Sequence, residues 1–129
     1  MRNEQTIKLY NEVIKGSKMG MRLVDDMLNR YSDEFFRYEL KRIKNCYSDI
    51  YNKANDIINL KHYSVNNELK MERMAASMEV AAIEIISTDA RPTEWKNAFY
   101  NADDQAKMLA EDLVRLQQAH REVYKKFLS

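Results

Sequence analysis

His120 is the residue whose type and position could best support chemistry, because it puts an ionisable ring on an otherwise apolar helical stripe. In an antiparallel bundle its level along the last helix matches that of Tyr10, Met71 and Met74. An imidazole with two thioethers and a phenol forms a donor set for a soft metal ion or a haem iron. The alternative, which we favour, is a partly buried histidine near the open end of the bundle that is hydrogen-bonded to a tyrosine or to a backbone carbonyl.

A di-metal centre is the second chemistry that a helical chain of this kind could support. Such a centre uses an inward glutamate on each of two helices and Glu-x-x-His on the other two. No Glu-x-x-His occurs here, and four glutamates lie beside the apolar stripes rather than on them: Glu39, Glu72, Glu79 and Glu84. The chain also lacks a glycine-rich phosphate loop and a nucleophile paired with a base. We therefore expect no catalytic residues, no bound metal, no cofactor and no enzymatic activity.

Charge and composition exclude several classes of partner. The 129 residues carry 21 Lys and Arg against 20 Asp and Glu, so the net charge of +1 creates no field that would attract nucleic acid or an anionic membrane. No apolar run is long enough to cross a bilayer, and the N-terminus does not resemble a signal region. Because Cys46 is the single cysteine, an internal disulfide is excluded. We expect a cytoplasmic protein that binds neither nucleic acid nor membrane.

Four segments must position these side chains, and each repeats apolar residues at the 3–4 spacing of one helix face. The first is predicted from Asn3 to Arg30. The second follows after Ser32, the expected cap, and ends near Lys61 with Ile57 as its last inward residue. The third covers 66–87.

The last segment follows a helix-breaking cluster around Pro92. A single helix over 93–128 would be about 54 Å long at 1.5 Å per residue, far longer than the third segment. Asn101, Asp103 and Asp104 resemble a cap followed by acids in a first turn. We therefore predict a kink or a fresh start near Asn101, with Thr93 to Tyr100 as a separate turn or short helix.

The simplest fold that buries four amphipathic stripes joined by short links is an all-α, antiparallel up-down-up-down four-helix bundle, which we expect to form a single domain over residues 1–129. Gly16 and Gly20 lie four residues apart on the first helix. Because glycine destabilises a helix interior, these positions predict close packing against another helix, within the bundle or in a second subunit.

The third segment is apolar on more than one side. Met74, Met78 and Ile85 follow one stripe, while Ala76, Val80 and Ile83 form a second stripe on a different side. A helix that is apolar on most sides is usually covered on most sides. We predict a homodimer interface at Ala76, Val80 and Ile83. The alternative is that the kinked 95–100 segment folds over this surface.

A glycine- and methionine-containing run in the first helix is followed by acidic and aromatic positions in the second: Ile14, Lys15, Gly16, Ser17, Lys18, Met19, Gly20, Met21, then Asp33, Glu34, Glu39, Leu40 and Tyr47. This pattern resembles the opening helical hairpin of small uncharacterised bacterial proteins grouped with ferritin-like bundles. The resemblance implies a four-helix bundle whose relatives often hold metal. The ligand positions of such a site are absent here, so no site residue carries over.

These observations lead to one functional expectation and one alternative. The chain is expected to be a non-catalytic helical bundle that acts through homo-oligomerisation or by binding another helical protein. The alternative is a ferritin-like protein that binds a metal or cofactor through His120 with nearby methionines and tyrosines.

Overall fold

The described part of the protein, residues 2–61 and 93–128 of a computed structural model, is helical and contains no strand. Its helices are α1 (Arg2–Arg30), α2 (Glu34–Leu60), α3 (Thr93–Asn101) and α4 (Asp104–Leu128). The predicted all-α class is therefore confirmed for these residues. The predicted 66–87 helix lies outside the described residues, together with its proposed interface at Ala76, Val80 and Ile83.

Aspartate side chains begin two of the helices. Asp33 accepts a hydrogen bond from the Phe36 amide at its Oδ1, 2.9 Å away, and so caps α2 in place of Ser32, which was the expected cap. Asp103 Oδ1 accepts from the Ala106 amide at 3.0 Å and caps α4 in the same way, in place of Asn101, which was the expected cap. A carboxylate three residues before an unpaired amide satisfies that donor and favours a helix start. The break predicted near Asn101 is confirmed, since α3 ends there.

Contacts between α1 and α2 pair late residues of one helix with early residues of the other. Near the connecting turn, the Arg37 guanidinium donates to the carbonyl oxygens of Leu28 and Tyr31. Further along, Lys44 Nζ lies 2.6 Å from Asp25 Oδ1. The two helices therefore run in opposite directions from their short connection.

The direction of α4 differs from the predicted up-down-up-down order. At the start of α4 the Asp103 amide donates to Thr6 Oγ1 at 2.9 Å, and further along Leu113 packs against Gly16. At its end Phe127 stacks on Phe36, the first buried residue of α2, with ring centroids 5.1 Å apart. The last helix therefore runs alongside α1 in the same direction, and the expectation that it opposes α1 is wrong.

The physical reason lies at the break between α3 and α4. Trp95 and Phe99 of α3 line a surface cavity together with Glu111, Arg115 and two other residues of α4. The short helix is therefore folded back beside α4 instead of continuing it. Because of this reversal, α4 runs opposite to α3. After a kink, α4 would instead have continued in the direction of α3.

The core lies where α1, α2 and α4 meet, and α3 adds the buried Ala98 and the partly buried rings of Trp95 and Phe99. On α2 the buried positions follow the predicted stripe except at the end, where Ile58 is buried and Ile57 is only half-buried. On α1 the buried face is broader than one stripe, since Leu9 and Val13 are as buried as Tyr10 and Ile14. This breadth follows from the contacts of α1 with α2, α3 and α4. Within the described residues, no helix has the length and apolarity needed to cross a membrane.

Candidate functional site

The most distinctive polar group in the described core is a pair formed by His120 and Tyr47. His120 is fully buried on α4, and its Nδ1 lies 2.8 Å from the hydroxyl oxygen of Tyr47, which is fully buried on α2. The Tyr124 ring, one turn further along α4, stands edge-on to the imidazole with centroids 4.3 Å apart. One hydrogen bond and two ring contacts therefore fix the imidazole between α2 and α4.

Gly20 makes room for this pair. A Cβ atom at Gly20 would lie 2.2 Å from Tyr47 Cζ, and two further ring atoms would be almost as close. At Gly16 a Cβ would lie 2.8 Å from Leu113 Cδ2, the end of a flexible side chain. The close helix packing predicted from these glycines is confirmed, and both contacts are made within the chain. Gly20 lets the Tyr47 ring lie against the α1 backbone, where its hydroxyl meets His120.

Burial makes the cluster electrically neutral at pH 7. Desolvation lowers the pKa of His120 to about 4, because a charged imidazolium loses its hydration inside the core. Burial, together with the nearby Asp26 carboxylate, raises the pKa of the Tyr124 hydroxyl well above its usual range. Neither group therefore exchanges a proton readily near neutral pH, which does not suit general acid–base catalysis.

The two ring nitrogens of His120 differ in their contacts, since Nδ1 is hydrogen-bonded to Tyr47 and Nε2 is not bonded to it. Within the part of the chain that the structure describes, Nε2 is buried and makes no hydrogen bond, and the same holds for the Tyr124 hydroxyl. A neutral imidazole with one nitrogen fixed by a hydrogen bond is the form that ligates metals. However, residues 2–61 and 93–128 contain no group of three His, Cys, Asp or Glu side chains that could hold an ion.

The structure bears on both expectations for His120. The favoured hypothesis of a hydrogen bond from His120 to a tyrosine is confirmed, with Tyr47 as the tyrosine, but the ring is fully buried in the core rather than partly buried near an open end of the bundle. The sequence analysis placed His120 at the level of Tyr10 because it assumed that α4 runs opposite to α1. Since α4 runs parallel to α1, His120 instead lies far from the N-terminal end of α1. Met71 and Met74, the other proposed donors, lie outside the described residues.

A surface feature that the sequence analysis missed lies at the end of the molecule where α2 begins and α4 ends. Phe35 and Tyr38 are 76% and 63% exposed, although both are large aromatic residues. They line a cavity of about 280 Å³ with Asp33, Glu39, Lys126 and Phe127. We call these six residues the end patch. The available signal was the presence of two aromatic side chains off the apolar stripe of α2.

Comparisons of this chain with protein families, with curated proteins and with solved structures found no match. The likeness of the first two helices to ferritin-like proteins therefore stays an expectation from the sequence. The functional interpretation depends on the His120 cluster and on the surface described above.

Proposed function

We propose that this protein is a non-catalytic helical-bundle protein that acts by association, with a second copy of itself as its first partner. The supporting observation is the exposure of Phe35 and Tyr38 side by side at one end of the molecule. Single exposed apolar residues are ordinary, but clustered aromatic side chains are typical of the centres of protein interfaces. Another helical protein is the alternative partner.

The interior supports the same proposal. The described core is filled with aliphatic and aromatic side chains, and its histidine is neutral and bonded to a tyrosine. A binding protein needs a rigid scaffold rather than a reactive pocket. We further propose a cytoplasmic location, a single ferritin-like domain, and no binding of nucleic acid.

Sedimentation velocity over a range of concentrations tests this function. A dimer at micromolar concentration supports the proposal, and a monomer throughout contradicts it. Val80→Glu then tests the interface predicted from the sequence, since a charge buried in an apolar contact is costly. Ser77→Glu, at a polar position of the same segment, serves as the matched control. If Val80→Glu associates like the parent, the interface lies elsewhere.

The second candidate function is binding of a metal or cofactor at His120. The observation that favours it is the buried Nε2 atom without a hydrogen-bond partner among the described residues. Elemental analysis and an absorption spectrum of protein purified without added metal distinguish the two functions. The association proposal predicts a colourless sample free of stoichiometric metal, whereas a bound transition metal or haem would favour the alternative.

A further inference from the structure

The end patch combines an apolar centre with charges of both signs. Phe35, Tyr38 and the half-buried Phe127 provide the apolar centre. Phe127 stacks on the buried Phe36, which connects the floor of the cavity to the core. An aromatic surface anchored on a core residue loses little conformational entropy when a partner covers it.

The charges of the end patch are divided between its two helices. Asp33 and Glu39 belong to the α2 side, where the Glu39 carboxylate also lies 3.2 Å from Arg42 Nη1 in an exposed ion pair, and Lys126 belongs to the α4 side. The Lys126 ammonium lies 5.2 Å from the centroid of the Phe127 ring and so borders the apolar centre directly. The acidic and basic groups thus flank the same aromatic residues.

This division is compatible with a two-fold symmetric contact. In a two-fold interface each copy presents the same surface, so a residue on one side of the axis meets a different residue of the other copy. Rotation about an axis through the aromatic centre would place Lys126 of each copy toward the acidic side of the other. The surface is therefore complementary to itself in both charge and apolar character.

We propose that the end patch is the surface through which this protein binds a second copy of itself. This inference rests on the proposed function of self-association and specifies where the contact lies. It assigns Phe35 and Tyr38 as the apolar anchors, and it assigns Lys126 and Glu39 as the charges that pair between copies.

The first test removes the anchors. Phe35→Ser combined with Tyr38→Ser should weaken the dimer at least tenfold in sedimentation velocity. The matched control is Tyr100→Ser combined with Met108→Ser, since these residues are 72% and 67% exposed outside the end patch. Circular dichroism shows whether each variant remains helical. If the parent is a dimer and the anchor variant dimerises equally well, the end patch is not the interface, although the proposed function stands. A monomeric parent overturns both.

The second test uses the symmetry of the contact. Lys126→Glu alone and Glu39→Lys alone each create like-charge pairs in a two-fold dimer and should each weaken it about tenfold. An equimolar mixture of the two variants should regain association, because each heterodimer then contains two attractive pairs. No change within one chain could produce this recovery. If the mixture associates no better than the separate variants, the proposed pairing is wrong.

Discussion

Protonation of His120 should couple the stability of the fold to pH. The folded protein holds this ring neutral because burial lowers its pKa to about 4, against 6.5 for an unperturbed histidine. Between these two values the unfolded chain binds a proton at His120 that the folded chain does not. Stability must therefore rise with pH across this window, and it must be lost as the pH falls from 6.5 toward 4.

The size of this effect follows from the separation of the two pKa values. Each pH unit within the window corresponds to about 1.4 kcal/mol of unfolding free energy. Integrated from neutral pH, the loss reaches about 2 kcal/mol at pH 5 and about 3 kcal/mol at pH 4. For a domain of ordinary stability this is a large fraction of the total.

Urea unfolding of the parent and of His120→Asn at several pH values isolates this term. The asparagine can keep a hydrogen bond to Tyr47 but does not titrate, and all other groups titrate in both proteins. The variant should be less stable at pH 7.5, but its disadvantage should shrink by about 2 kcal/mol at pH 5. A stability difference between the two proteins that stays constant from pH 7.5 to pH 5 would show that His120 does not titrate differently in the folded and unfolded chain.

Three further substitutions test the packing and the helix starts by chemical denaturation. Gly20→Ala should destabilise the fold by about 1–3 kcal/mol, because the added methyl group would overlap the Tyr47 ring, which is held by a hydrogen bond. Gly16→Ala is the control and should cost less, because its methyl group meets the flexible end of Leu113. Equal effects of the two substitutions would contradict the packing described for Gly20. Tyr47→Phe should cost about 1–3 kcal/mol by leaving the buried imidazole nitrogen without its partner, and an unchanged midpoint would argue against the hydrogen bond. Asp103→Ala should cost about 1 kcal/mol through the lost cap, with Asp103→Asn as the conservative control that retains most of the stability.

Local signals in the sequence predicted the helices well. Apolar periodicity is a property of neighbouring turns, so it located α1 and α2 to within a few residues. A cap acts over three residues, and the sequence at 101–104 therefore predicted a helix start near Asn101, two residues before the cap that the structure shows at Asp103. The choice between Ser32 and Asp33 was not settled locally, because both residue types cap helices.

The direction of α4 could not be obtained in this way. It depends on the angle at the break, which is fixed by contacts such as the hydrogen bond between the Asp103 amide and Thr6, 97 residues apart in sequence. The hydrogen-bond partner of His120 is also set by a long-range contact, since Tyr47 is 73 residues away in sequence. The type of site was predictable from one ionisable residue on an apolar stripe, but its partner required the tertiary arrangement.

The exposed end patch was missed for a related reason. Phe35 and Phe36 are adjacent and chemically identical, and only the orientation of α2 decides which of them enters the core. The stripe correctly assigned Phe36 to the interior. The surface role of Phe35 becomes visible only once Lys126 and Phe127 are placed beside it.

Association is the central claim, and sedimentation velocity of the unmodified chain from about 1 to about 100 µM tests it most directly. We expect a dimer with twice the mass of the 15.3-kDa chain, and the fraction of protein in the dimer should grow with concentration. A single species of 15.3 kDa at every concentration would contradict it.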